Sequence, residues 1–477
     1  MATDLSRSSL FPPSFLFGVA SSSVQIEGAT SEGGRGKGIW DTFASIPGKI
    51  LDGSTPKVTC DFFHKFQEDI LEMKRLGVES YRFSISWPRL FPETSEFLNK
   101  EGLAFYNKVL DCLLEAGLTP FVTLYHWDLP QYLQDDPEVK GWLTTNIIDH
   151  FLNFANTCFT YFGDRVKHWI TFNEIHMGTI LSCELGMIPP GNSSEGRSDS
   201  YIVAHHSLLA HAAAVELYRE KYQKEHRGFI GMSADVTWFE PMSDRQGDID
   251  AAVRCEEFGM GWILDPVFFG DYPKMMRELV GERLPRFTEK QSRDLKGSLD
   301  FLGLNYYFVL WATQAADVCP GGLHVWLKES QTNFHWINAD GKLLGEAPEP
   351  HEQAIFRSCP WGIRKALAAL KSRYGDIPIY ITENGTTDGD MDATLDEPYN
   401  DKGRVKFLQE HLRVVSESIR EDNVNVKGYF YWTFMDNWEW MSGFTSRFGL
   451  YHVDFQNPQL SRIPKASAKW FSAFLKS

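Results

Sequence analysis

Eight short runs of β-branched and aromatic residues, separated mostly by segments of helical period, constrain this chain more than any other feature. They are Phe15–Ala20, Tyr81–Ile85, Phe121–Tyr125, Trp169–Asn173, Ile230–Ala234, Phe301–Tyr307, Ile379–Asn384 and Gly428–Phe434. Several intervening segments carry a clear apolar stripe. From Asp61 to Leu76, Phe62, Phe63, Phe66, Ile70, Met73 and Leu76 recur at helical spacing, and Gly77 closes the run. Leu103–Ala116 repeats the design with Tyr106, Leu110, Leu113 and Leu114 before Gly117. Helical runs at Phe151–Phe162, Ile363–Tyr374 and Val405–Ile419 precede the fourth, seventh and eighth strands. Strands that alternate with helices run parallel, joined by helical crossovers, and eight such units close on themselves. The expectation is an α/β fold, a (β/α)8 TIM barrel with long βα loops.

A length of 477 residues would ordinarily suggest more than one domain, but α/β barrels carry this much chain as one unit. No Pro/Ser/Gly linker divides the sequence, so residues 1–477 read as a single domain. Ala312 to Pro350 is polar and irregular, which predicts a long loop over the mouth of the barrel. The stretch Asp235 to Met242 is predicted as another such loop.

Charge removes several classes of function. A net charge of −16 opposes nucleic-acid binding and an anionic membrane surface. The N-terminus lacks the apolar run of a signal peptide, and no apolar stretch is long enough to span a bilayer, so the expectation is a cytoplasmic protein. The seven cysteines stand singly without a CxxC pair, as buried thiols do, so neither a disulfide framework nor a zinc site is expected. The Asn192-Ser193-Ser194 sequon reads as chance in such a chain. His205 and His206 are adjacent in a helical segment and point apart, and no HExxH spacing exists. Gly33-Gly34-Arg35-Gly36-Lys37-Gly38 opens no helix and lacks phosphate-cradle spacing. No metal and no cofactor are expected. A homodimer is compatible with the sequence.

Function in such barrels collects at the C-terminal strand ends. The second strand ends in Tyr81-Arg82-Phe83-Ser84, the third in Tyr125-His126-Trp127-Asp128, and the fourth in Thr171-Phe172-Asn173-Glu174. The sixth gives Asn305-Tyr306-Tyr307, the seventh Thr382-Glu383-Asn384-Gly385, and the eighth runs through Trp432 to Glu439 and Trp440. One glutamate at a strand end is an ordinary rim carboxylate. Two of them, Glu174 and Glu383, each beside an Asn, form the pair that glycoside hydrolysis requires: one acid to protonate the leaving oxygen, one carboxylate to attack the anomeric carbon. A separation of about 5–5.5 Å gives retention and a wider one inversion. Arg82 is the candidate cation for keeping the nucleophile ionised, and Tyr307 a candidate donor to it.

These residues resemble the family 1 glycoside hydrolases over about Phe11 to Phe474. Thr171-Phe172-Asn173-Glu174 is similar to that family's acid/base motif, and Ile381-Thr382-Glu383-Asn384-Gly385 to its nucleophile motif. Gln25-Ile26-Glu27-Gly28, His126-Trp127 and the Trp432–Trp440 segment extend the match. The resemblance implies a retaining β-glycosidase acting on a small-molecule or oligosaccharide β-glycoside, with Glu174 as acid/base and Glu383 as nucleophile. It implies that Gln25, His126, Asn173, Glu439 and Trp440 bind sugar hydroxyls, with Trp127 and Asn305 among the substrate-binding set. Trp432 would be the stacking floor, Phe448 the wall near C6, and Trp361 the aromatic that stacks on the aglycone. Glu174 stands where thioglucosidases of the plant type carry Gln, which favours O-glycosides. Glu439 would repel a phosphorylated sugar. The chain departs from the family at Val24, where Tyr is common, and at Ile175-His176, where Pro follows the acid. A β-glucosidase with fucose or galactose tolerance leads. A transglycosidase on the same site and a catalytically silent sugar-binding protein are the alternatives, and retention of both carboxylates speaks against the silent protein.

Overall fold

A computed structural model of the chain describes residues 6–191, 198–315, 325–338, 340–346, 356–387 and 399–477. Eight parallel strands form a closed barrel. They are β1 (Leu16–Ala20), β2 (Ser80–Ser84), β3 (Thr119–Tyr125), β4 (His168–Asn173), β5 (Phe229–Asp235), β6 (Phe301–Asn305), β7 (Ile379–Asn384) and β8 (Val426–Trp432). Each pairs with its sequence neighbour, and β8 returns to β1 with Gly18 opposite Phe430 and Ala20 opposite Trp432. The predicted eight strands are therefore the barrel, with ends shifted by a residue or two. The sixth stops at Asn305, which frees Tyr306 and Tyr307 to turn over the rim.

Helices α1 (Phe62–Leu76), α2 (Lys100–Ala116), α3 (Asn146–Phe162), α4 (Asp199–Lys221), α5 (Pro360–Tyr374) and α6 (Lys402–Arg420) pack outside. Gly77 at φ 95° and Gly117 at φ 81° end α1 and α2 in the left-handed conformation their sequence positions predict. Helix α4, which contains the His205-His206 segment, carries no apolar stripe, and its packing supplies the reason. Tyr201, Leu208, Leu209, Ala210, His211, Ala214 and Tyr218 are all buried, because α4 lies between α3 and a short helix at Glu289–Leu295. A helix covered on several sides loses amphipathic periodicity.

The predicted loops at 235–242 and after β6 are more ordered than expected where they are described. Trp238–Pro241 pairs in parallel with Val309–Gln314, which pairs antiparallel with Thr332–His335, giving a three-stranded sheet beside the mouth. The sequon and Cys319 lie outside the described residues. Among the described residues no helix is long and apolar enough to cross a membrane.

The lower barrel is filled by aromatic rings, and this pushes polar function to the other end. Phe121 stacks on His168 at 4.0 Å and meets Phe430 at 4.8 Å and Tyr380 at 5.1 Å. Burial holds His168 below its usual range, at about 4, so its ring packs as a neutral plate. Gly18 makes room for this layer, since a Cβ there would sit 2.4 Å from the Phe430 ring and 2.8 Å from the Ser80 carbonyl oxygen. Gly18→Ala should therefore lower stability by about 1–3 kcal/mol, the usual range for overpacking. Thermal unfolding by fluorescence checks this, and an unchanged midpoint would mean that β1 and β8 separate freely.

Candidate active site

Barrel closure brings the predicted strand-end residues into one buried cluster. Arg82, fully buried midway along β2, donates through Nη1 to Oε1 of Glu383 on β7 and through Nη2 to Oδ1 of Asn173 on β4 at 2.5 Å. Tyr307 Oη donates to the other Glu383 oxygen at 2.6 Å. Burial and the neighbouring Glu383 hold the Tyr307 phenol well above its usual range, so it remains a donor. Both Glu383 oxygens therefore meet donors, the arrangement a carboxylate requires.

Glu174 is differently placed. Asn305 Nδ2 donates to its Oε1 at 2.6 Å and to Asn173 Oδ1 at 3.0 Å. Burial, then Glu383, then Asp235 push the Glu174 carboxyl well above the usual carboxylate range, against the opposing pull of Asn305 and Arg82. The two glutamates are joined by a chain of hydrogen bonds, from Glu174 through Asn305, Asn173 and Arg82 to Glu383. Thr382 Oγ1 fixes the Asn305 amide by donating to its Oδ1 at 2.7 Å, and Ser233 Oγ donates to Thr382 at 3.0 Å.

Backbone conformation aims several of these groups. Glu174 has φ 46°, Trp127 φ 67° and Trp440 φ 49°, all left-handed positions that are costly for residues with a side chain. Hydrogen bonds pin Glu174 in place: its N–H donates to the Ser233 carbonyl at 2.9 Å and its carbonyl accepts from Gly178 N–H at 2.9 Å. A short helix, Ile175–Thr179, starts directly after it, so Ile175 extends the chain where the family has Pro. Gly385, after the nucleophile candidate, is required by space, since a Cβ there would lie 1.9 Å from the Trp432 carbonyl oxygen.

The remaining sequence-predicted residues divide into a wall and an outlier. His126 Nε2 lies 3.1 Å from Asn173 Nδ2, and burial with Arg82 nearby holds its pKa well below the usual range, so the ring is neutral. Its ring is near-parallel to those of Trp432 and Trp440, at 5.9 Å from each. Gln25 Nε2 donates to Glu439 at 3.1 Å and to Asn437 at 3.2 Å. Burial and the Glu383 charge raise the Glu439 carboxyl to about 8. Phe448 is buried beside Trp432 and meets Tyr307 edge-on at 6.2 Å. Trp127 commits its indole N–H to the Asn173 carbonyl at 3.1 Å, so it braces the site from behind. Trp361 stands apart, 37% exposed at the start of α5, with Lys365 Nζ 5.0 Å from its ring centre. Sequence reasoning missed Asn437, Ser233 and the His176–Asp235 pair. Asn437 lay within the quoted Trp432–Trp440 segment, but nothing in sequence pairs it with Gln25.

The sequence model of glycosyl hydrolase family 1 matches residues 7–477. The chain belongs to glycosyl hydrolase family 1. Curated relatives include Beta-glucosidase 6 of Oryza sativa subsp. japonica, 44% identical over 98% of this chain and 91% of its own length. Beta-glucosidase 42 of Arabidopsis thaliana is 45% identical over 98% of this chain and 94% of its own. Among solved structures, a mutant of rice Os3BGlu6 β-glucosidase in a covalent complex with Glc superposes with a TM-score of 0.94 at 44% identity, covering 99% of this chain and 100% of that one.

In a family 1 enzyme the alkaline limb of kcat/KM follows loss of the proton from the catalytic acid. Asn305→Ala removes a hydrogen bond to the charged form of Glu174, so its carboxyl should hold the proton to higher pH. The limb on an aryl β-glycoside should rise by roughly half a pH unit or more. A stationary limb would detach that titration from Glu174.

Proposed function

We propose that this enzyme is a retaining β-glucosidase, releasing the terminal non-reducing β-D-glucosyl residue of small β-glycosides by double displacement. The observation that carries this reading is the asymmetry of two linked carboxyls. Glu383 is held by donors on both oxygens, while Glu174 is buried, faces two carboxylates and favours its proton. The first is equipped as nucleophile and the second as acid.

In the first step Glu383 attacks the anomeric carbon, a glycosyl–carboxylate bond forms, and the bond to the leaving oxygen breaks as Glu174 protonates it. Esterification removes the Glu383 charge, and with it one cause of the raised Glu174 pKa. Glu174 can then accept a proton from the water that attacks the same carbon; the bond to Glu383 breaks, its carboxylate is released, and the sugar leaves as the β-anomer. The assignment to glucose rests on the β-glucosidase relatives, and the retaining course is supported by the rice structure's covalent complex with Glc.

Gln25, His126, Asn173, Glu439 and Trp440 are proposed to bind the sugar hydroxyls, over a floor of Trp432 and against Phe448. Asn173 would hold the 2-hydroxyl, where Arg82 and Asn305 fix its amide. Asn305 would serve the substrate through Glu174 and Asn173, and Trp127 through the Asn173 backbone. Trp361, exposed and farther out, is proposed for the aglycone. A cytoplasmic location remains part of the proposal, supported by free thiols at Cys60, Cys112, Cys158, Cys255 and Cys359.

Glu383→Ala should abolish turnover of an aryl β-glucoside, and external azide should restore it as the α-glucosyl azide, read by proton NMR. Recovery of the β-azide would place the nucleophile elsewhere. Glu174→Ala should slow glucosides with poor leaving groups by about 10²–10⁴ and spare those with good ones. Equal losses on both would remove Glu174 from the acid role.

A further inference from the structure

A second titratable pair stands directly beside Glu174. His176, two residues on, directs Nδ1 to Asp235 Oδ2 at 2.8 Å. The other oxygen, Oδ1, accepts the Met177 backbone N–H at 3.2 Å. Asp235 thus grips the short helix Ile175–Thr179 that follows Glu174 through the His176 side chain and the Met177 backbone. It sits at the end of β5, opposite Asn305 in the sheet register, and Asn305 is the residue that donates to Glu174. The pair is largely shielded, with side-chain exposures of 13% and 10%. The His176 ring is held edge-on to Trp262 at 5.7 Å and tilted against Trp326 at 5.9 Å.

We propose that His176 and Asp235 are positioning residues that hold the Asp235 carboxylate beside Glu174 and so set the pH at which it gives up its proton. The proposal rests on Glu174 being the acid/base. The charged groups facing Glu174 are Glu383 on β7, Arg82 on β2 and Asp235 on β5, with the Tyr307 hydroxyl nearby. Glu383 changes charge during the cycle when it is esterified, and Arg82 is committed to Glu383 and Asn173. Asp235 forms no bond to the sugar and is not held by Arg82; its partners are His176 and the Met177 N–H. Glu184, in the following segment Ile180–Glu184, interacts electrostatically with His176 and with Glu329. His176 donates to Asp235 and keeps its carboxylate oriented. Asp235 then contributes in both steps: it favours the protonated acid in glycosylation, and in deglycosylation it keeps Glu174 basic enough to take the proton of the attacking water.

The test is the pH profile of kcat/KM on an aryl β-glucoside with a poor leaving group. Asp235→Asn keeps the shape and, through its amide oxygen, one of the two accepted hydrogen bonds but removes the charge, so the alkaline limb should fall by about half to one pH unit. His176→Leu takes a donor from Asp235 and leaves its charge less shared, so the limb should move the opposite way, while His176→Gln should restore the parent profile. A pair that merely braces the helix would lower kcat in all three variants without moving the limb, and that result overturns the proposal. If Asp235→Asn does not fold, the opposite shift in His176→Leu and its rescue by Gln decide alone. Glu174→Ala, run alongside, separates the two failures. A limb that survives in Glu174→Ala sinks the acid assignment, whereas a limb lost there but unmoved by Asp235→Asn sinks only the pair.

Discussion

One buried guanidinium ties together the mouth of this barrel. Arg82 rises from β2 and reaches β7 through Glu383 and the Thr382 carbonyl at 3.3 Å. It reaches β4 through Asn173 and β5 through a longer contact of 3.5 Å to Ser233. A cation taken out of water costs several kcal/mol unless charge and hydrogen bonds offset it. Only a closed barrel places acceptors from three other strands around one cation on the fourth. Closure of the fold and assembly of the site are therefore the same event. The aromatic layer below, from Phe121 to Phe430 and His168, leaves no place for such a charge at the other end.

The same cation divides the labour of the two glutamates. Glu383 receives Arg82 on one oxygen and Tyr307 on the other, so its environment suits negative charge. Glu174 receives one neutral amide and looks toward Glu383 and Asp235, so its environment suits the proton. Neither side chain differs chemically from the other. What separates their roles is which strand each ends, and hence which donors it meets. The asymmetry is also self-adjusting, because the charge that helps Glu174 keep its proton is the one that bond formation at Glu383 removes.

Much of this was legible in the sequence, for identifiable reasons. Strands buried on both faces read as apolar runs, and eight such runs could be counted and their last residues named. Asn173, Glu174, Asn305, Tyr307 and Glu383 stood out because a polar group ended an apolar run, and Arg82 because a cation sits between Tyr81 and Phe83 in a strand. Helix α4 was read only around His205 and His206 because burial on several sides erases its stripe, and the sheet of Trp238–Pro241, Val309–Gln314 and Thr332–His335 was hidden because its partners are distant in sequence. The role of Trp127 turned on a left-handed backbone that swings its indole behind Asn173. His176 and Asp235 lie 59 positions apart and meet only through the β4–β5 pairing, which no local pattern reveals.

The division between legible and hidden follows the division of the substrate site. Residues proposed for the sugar sit on strand ends and are buried, so their positions follow from barrel closure. Those beyond the sugar sit where the chain was hardest to read. Trp361 opens α5, and Trp238 belongs to the small sheet; Lys365 Nζ lies 5.0 Å from the first ring and 5.8 Å from the second. Lys365 also pairs with Glu240, which accepts the Trp238 indole N–H at 2.7 Å. Two indoles from different segments are thus fixed to each other by one ion pair rather than by the barrel. A change in either segment would reshape the outer site while leaving Arg82, Glu174 and Glu383 where closure puts them. On the proposed assignment of Trp361 to the aglycone, sugar chemistry and aglycone choice are separable in this fold: the first is set by strands that must meet, and the second by segments held outside the barrel.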